Sequence, residues 1–167
     1  TNVFASSTRI QNGMKVVVPE GGDWRNTRGW SSINLRMENA ELRIDGGYMN
    51  YRAARPADQA NSTVKIRVSG NGRLYLSEGA SGSVFGAGYG ANSVVDITLE
   101  DNAVFDFVAR TLQLAHGAGS HVTFNLKGGA LAFPRSDWII SVGSGQAVIN
   151  FDGGALRHES ERSSTIG

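Results

Sequence analysis

Asp96, Asp101, Asp106 and Arg110 are the first residues to weigh for chemistry, because they fall within one short stretch of a 167-residue chain. Clustered carboxylates beside a Lys or Arg base, often with calcium, are what a polysaccharide lyase or hydrolase uses. Glycosidase chemistry also needs two carboxyl groups about 5–9.5 Å apart, which spacing along a chain does not set. A second occupation competes for these groups. Asp96 is placed to pair with Lys65 one repeat earlier, and Glu100 belongs to a column of charges. Solvated charge is the ordinary state of such residues. No catalytic residue is assigned, and a non-enzymatic role is expected, with a carbohydrate-active enzyme or carbohydrate-binding module as the alternative.

Other constellations are weaker. His116, His121 and His158 show no helical i, i+4 pairing and no further ligand pattern, so no metal or cofactor is expected. The run Gly86-Ala-Gly-Tyr-Gly90 lacks the Lys-Ser/Thr and the helix of a phosphate loop and reads as a corner. Trp24, Trp30, Tyr48 and Tyr51 are the candidate ligand- or partner-binding residues. Their rings would form a platform for sugars or a partner, or else cover the open end of the first repeats.

The elements that position these groups are strands. Period-two alternation bounded by Gly, Asn, Asp and Ser runs through the chain, and helical periodicity is almost absent. The stretch HVTFNLKGGALAF at 121–133 is strand, glycine turn, strand. Imperfect copies flank it. Met37, Val68, Leu99, Leu126 and Phe151 each close an alternating strand before a polar turn, at spacings of 31, 31, 27 and 25 residues. Leu112-Gln-Leu-Ala-His116 and Ile139-Ile-Ser-Val142, each followed by G-x-G, add a third short strand and a corner. A β-rich unit of this length cannot bury its own apolar face, but stacked units make one core. The expected fold is all-β: a single parallel β-helix (β-solenoid) over 1–167, of about six coils, with loop insertions near 19–32 and 48–62. Stacking predicts lateral columns: Glu38, Ser69, Glu100, Lys127 and Asp152; Asn125 on Asn150 as an amide ladder; and Arg36 on Arg67, with Glu38 as counter-charge.

Bulk composition narrows the partners. Lys and Arg number 16 against 15 Asp and Glu, a net charge of +1, which is no basic footprint for nucleic acid. Cysteine is absent, which removes disulfides and thiolate zinc sites. No apolar run reaches the roughly 18–20 residues of a membrane span. The chain begins at Thr1, consistent with a processed or excised segment. The polar end at 159–167 contains no amphipathic helix to cap a solenoid, so the ends are expected to meet other copies or neighbouring β-helix domains.

Coils of alternating strand, Gly-Gly turn and second strand, joined by G-x-G corners, resemble the passenger repeats of bacterial autotransporters and related surface β-helix proteins. Val122 to Phe133, Ile149 to Leu156, Gly117-Ala-Gly119 and Gly143-Ser-Gly145 carry the resemblance. It implies a right-handed β-helix, export to the bacterial cell surface or beyond, and a structural or adhesive role. End-to-end self-association into a fibre or layer is expected from the uncapped ends instead, and surface polysaccharide is the other expected partner. It supplies no universal catalytic set.

Overall fold

In a computed structural model, residues 2–3, 8–25, 35–77, 84–108, 111–133 and 139–158 are described. After β1 (Asn2–Val3), the described strands come in triplets, one triplet per rung. The first is β2 (Thr8–Gln11), β3 (Lys15–Val18) and β4 (Asp23–Arg25). The second is β5 (Leu35–Glu38), β6 (Ala40–Asp45) and β7 (Tyr48–Tyr51). The third is β8 (Ala54–Pro56), β9 (Thr63–Ser69) and β10 (Arg73–Leu76). The fourth is β11 (Val84–Ala87), β12 (Val94–Glu100) and β13 (Val104–Phe107). The fifth is β14 (Thr111–Leu114), β15 (His121–Lys127) and β16 (Ala130–Phe133). The sixth is β17 (Ile139–Val142), β18 (Gln146–Phe151) and β19 (Ala155–His158). Each strand pairs in parallel with its counterpart one rung away, giving three sheets. The first face is β2-β5-β8-β11-β14-β17, the second β3-β6-β9-β12-β15-β18, and the third β1-β4-β7-β10-β13-β16-β19. The expected all-β parallel solenoid is the fold.

Alternation explains the core. In β9 every second residue, Val64, Ile66 and Val68, is buried, and β12 and β15 repeat this with Val95, Ile97, Leu99 and Val122, Phe124, Leu126. These inward residues stack rung on rung into one cluster that no single rung could close. Phe105 is its aromatic hub: Phe85 meets it edge-on at 5.1 Å and Phe124 stacks on it at 6.2 Å.

The corner between the second and third faces explains the paired glycines. In Gly128-Gly129 the first residue has φ of 87°, the left-handed region, and a Cβ on the second would lie 2.7 Å from the Leu99 Cβ. In the fourth rung Asp101 takes the left-handed position, with φ of 58°.

From Val68 onward the expected column holds: Val68, Leu99, Leu126 and Phe151 are register partners, and β14 and β17 are the expected third strands. Asn125 lies on Asn150, as expected. Three expectations need correction. Met37 belongs to the first face, between Ile10 and Pro56, and Val68's partner is Ile44. The early repeats therefore run 18 to 44 to 68. Arg36 consequently stacks on Arg9 and Arg55 rather than on Arg67, and Ser69 pairs with Asp45 rather than with Glu38. Finally, 48–62 is no loop insertion, because it holds β7 and β8. Tyr51, Ala54 and Pro56 are buried there, so the inward pattern continues through Ala and Pro, which seldom mark a strand. Of 19–32, residues 23–25 form β4, and 26–32 lie outside the described residues.

Candidate functional site

The candidate aromatic residues do not share a surface. Tyr51 points inward and is fully buried. Burial pushes its phenol up to about 12. Trp24 lies in the inward column, in register with Met49 and with its ring 6.4 Å from that of Tyr51. It packs partly buried against the core. Tyr48 is on the outer side of the third face, stacked on Tyr75 at 6.4 Å with the Arg25 guanidinium 5.1 Å from its ring centre. Burial raises the Tyr48 phenol, and Arg25 opposes that rise. Trp30 lies outside the described residues. Two of the three described rings therefore close the core near the first rungs, and one belongs to an outer stack.

The carboxylates of the fourth rung also separate. Asp96 stands on the outer side of the second face, in register with Lys65, and its Oδ1 accepts a hydrogen bond from Asn125 at 2.9 Å. Asp101 is at the corner, where its Oδ2 accepts from the Gly70 amide at 3.0 Å. Asp106 is on the third face, 3 % exposed and paired with Arg73. Arg110 lies outside the described residues. A coil that turns between faces sends carboxylates five residues apart in different directions. The nearby cleft of about 240 Å³ is lined by Glu20, Asp45 and Ser69. Asp45 is already held there by Arg43 at 2.9 Å and by the Ser69 hydroxyl at 3.0 Å. Among the described residues no group of three His, Asp or Glu could hold a metal ion.

The outer side of the second face is a lattice of ladders. Lys15, Glu41, Lys65 and Asp96 stack in register with alternating sign, and Lys15 reaches Glu41 at 3.3 Å. Arg67, in register with Arg43, turns to Glu100 at 2.6 Å, which raises its already high pKa. Asn150 donates to Asn125 at 2.8 Å, and Asn125 to Asp96, so the amide ladder ends on a carboxylate.

The outer side of the first face differs, and sequence reasoning missed it. Arg9, Arg36 and Arg55 stand in register on β2, β5 and β8. Asp58, with a side chain only 7 % exposed, bridges two of them: Arg36 at 2.6 Å and Arg55 at 3.5 Å. The Arg55 guanidinium lies 4.1 Å from the Tyr89 ring centre, and Tyr89 stacks on His116 at 4.1 Å and 15°. Gly86 makes room for this, because a Cβ there would fall 2.9 Å from the Tyr89 ring. A file of planar groups thus runs along the axis from Arg9 to His116. The signal available in the sequence was Arg at the same phase of three strands, hidden by the misassigned register of β5.

No family model, curated protein or solved structure matches the chain.

Proposed function

We propose that the chain is a structural and adhesive segment of an exported bacterial surface β-helix, of the autotransporter-passenger type, that self-associates through its last described rung. The observation that carries this reading is the bareness of that rung. Three of its inward residues, Val142, Phe151 and Leu156, are 54 %, 54 % and 44 % exposed, whereas their partners one rung below, Leu114, Leu126 and Leu131, are fully buried; Ile140, Ala147 and Ile149 are partly buried. An apolar cross-section framed by the edges of β17, β18 and β19 is a template for further strand pairing. The first rung is different: Ile10 and Val18 are 1 % and 4 % exposed. Pairing through one end alone closes on itself, so a dimer joined at the bare ends is favoured over an open fibre. The stacked sheets supply a stiff rod to carry an adhesive surface.

Sedimentation velocity over a concentration series tests this. A dimer that forms with concentration and is abolished by Phe151→Asp is expected. A monodisperse monomer at high concentration would overturn the assembly reading. Incubation with neutral and acidic polysaccharides tests the rest: binding without cleavage is expected, and shortened polymer would overturn it in favour of an enzyme.

A further inference from the structure

We propose that the Arg9–Arg36–Arg55 ladder is a binding strip for an acidic polysaccharide, whose anionic groups follow the solenoid axis from rung to rung. This names the ligand of the adhesive surface inferred above and rests on that reading.

The ladder is costly without a ligand. Adjacent parallel strands lie about 4.8 Å apart, and like charges directly opposite one another destabilise a sheet. On the second face the chain avoids this by alternating sign from Lys15 to Asp96, or by turning Arg43 and Arg67 to separate carboxylates. On the first face one carboxylate, Asp58, serves both Arg36 and Arg55, with Glu38 two residues beyond Arg36 on β5. Arg9 is exposed, and among the described residues no carboxylate pairs with it.

The guanidinium groups are also held in place. Asp58 fixes Arg36 and Arg55, and the Tyr89 ring supports Arg55 from the next rung. A preorganised planar donor loses little freedom on binding and offers paired N–H groups to a carboxylate or sulfate. The Tyr89 ring sits between Arg55 and His116, so recognition of a neutral sugar by stacking on that ring is not offered. A single file of cations on a chain of net charge +1 is not the broad basic face a nucleic acid requires. A flexible anionic sugar chain can bring one acidic group to each arginine, and each added contact raises affinity through effective concentration.

The test is calorimetric titration with uronic-acid oligomers of one to six sugars, a sulfated dextran, a neutral glucan and duplex DNA. Affinity for the uronate should rise about tenfold or more from monomer to trimer and fall with added salt. Arg9→Gln, at an exposed position, should weaken trimer binding about fivefold or more with the β circular dichroism unchanged. Lys127→Gln, on the second face, should leave binding as it was. Tighter binding of sulfated dextran than of uronate would assign sulfate as the preferred group on the same strip. The proposal is overturned by affinity independent of length, by full binding after both Arg9→Gln and Arg36→Gln, or by duplex DNA binding as tightly as the uronate. Binding of the neutral glucan alone would overturn the strip and leave the adhesive reading standing. Binding to no sugar would remove both, with self-association unaffected.

Discussion

Phe124 and Phe151 occupy neighbouring rungs of the second face but differ in burial, so the same deletion should cost different amounts. Phe124 is fully buried and stacks on Phe105 at 6.2 Å. Phe124→Ala removes that contact and leaves a cavity between two rungs, at a cost of about 3–5 kcal/mol. Phe151 points inward in the last described rung but is 54 % exposed. Burying a whole Phe side chain is worth about 1.5–3 kcal/mol. With roughly half of it in water already, Phe151→Ala should cost about 1 kcal/mol in dilute solution. At concentrations where the bare ends pair, its cost should grow, because the dimer covers the ring and stabilises the folded chain by mass action. The assay is urea unfolding followed by circular dichroism, for the parent and both variants, at the lowest and highest concentrations that sedimentation shows to be monomer and dimer. If Phe151→Ala costs as much as Phe124→Ala in dilute solution, the ring is covered within the monomer and the last described rung is not open. If its cost stays near 1 kcal/mol where the parent is a dimer, the dimer forms elsewhere.

Further outcomes follow from single positions. Gly129→Ala would place a Cβ 2.7 Å from the Leu99 Cβ, so a loss of about 1–3 kcal/mol is expected in the same unfolding assay. Gly13→Ala, with φ of 78° and nothing within 4 Å, should lose only the left-handed penalty of about 1–2 kcal/mol. Because the folded pKa of Tyr51 is raised to about 12, the unfolded chain loses this proton first as pH rises. The contribution is intact below the unfolded value near 10 and declines by about 1.4 kcal/mol per pH unit until the folded pKa is passed. Tyr51→Phe should flatten that alkaline limb; an unchanged limb would show that another group causes it. Asp58→Asn leaves Arg36 and Arg55 facing each other without their shared carboxylate. Both arginines are about 30 % exposed, so the cost is about 1–2 kcal/mol and should shrink in high salt. A salt-independent loss would point to packing instead of charge.

Much of the fold is legible in the chain because alternation and glycine turns are local properties. The period-two strands, the Gly-Gly corners after Leu126 and Phe151, and the column from Val68 to Phe151 follow from spacing, since the units there differ by a few residues. The register of the early rungs is not local. The segments at 33–37 and 40–44 both alternate, and nothing in either says which face it joins. The intervening Asn39, with φ of 48°, decides it: its carbonyl accepts the Gly13 amide at 2.7 Å and its side chain accepts the Thr63 amide at 3.0 Å. One residue out of step at that turn, Met37 falls on the second face and the three arginines no longer line up. The site depends on the same geometry. Arg9, Arg36, Arg55, Asp58, Tyr89 and His116 span more than a hundred residues and share no motif, and only the coil returns them to one line. The stacking of strands into a parallel solenoid is legible in the chain alone, because apolar faces of repeats this short are buried only when the repeats stack. Which side chains become neighbours across rungs was decided by tertiary structure, because a lateral column depends on the length and twist of every intervening turn.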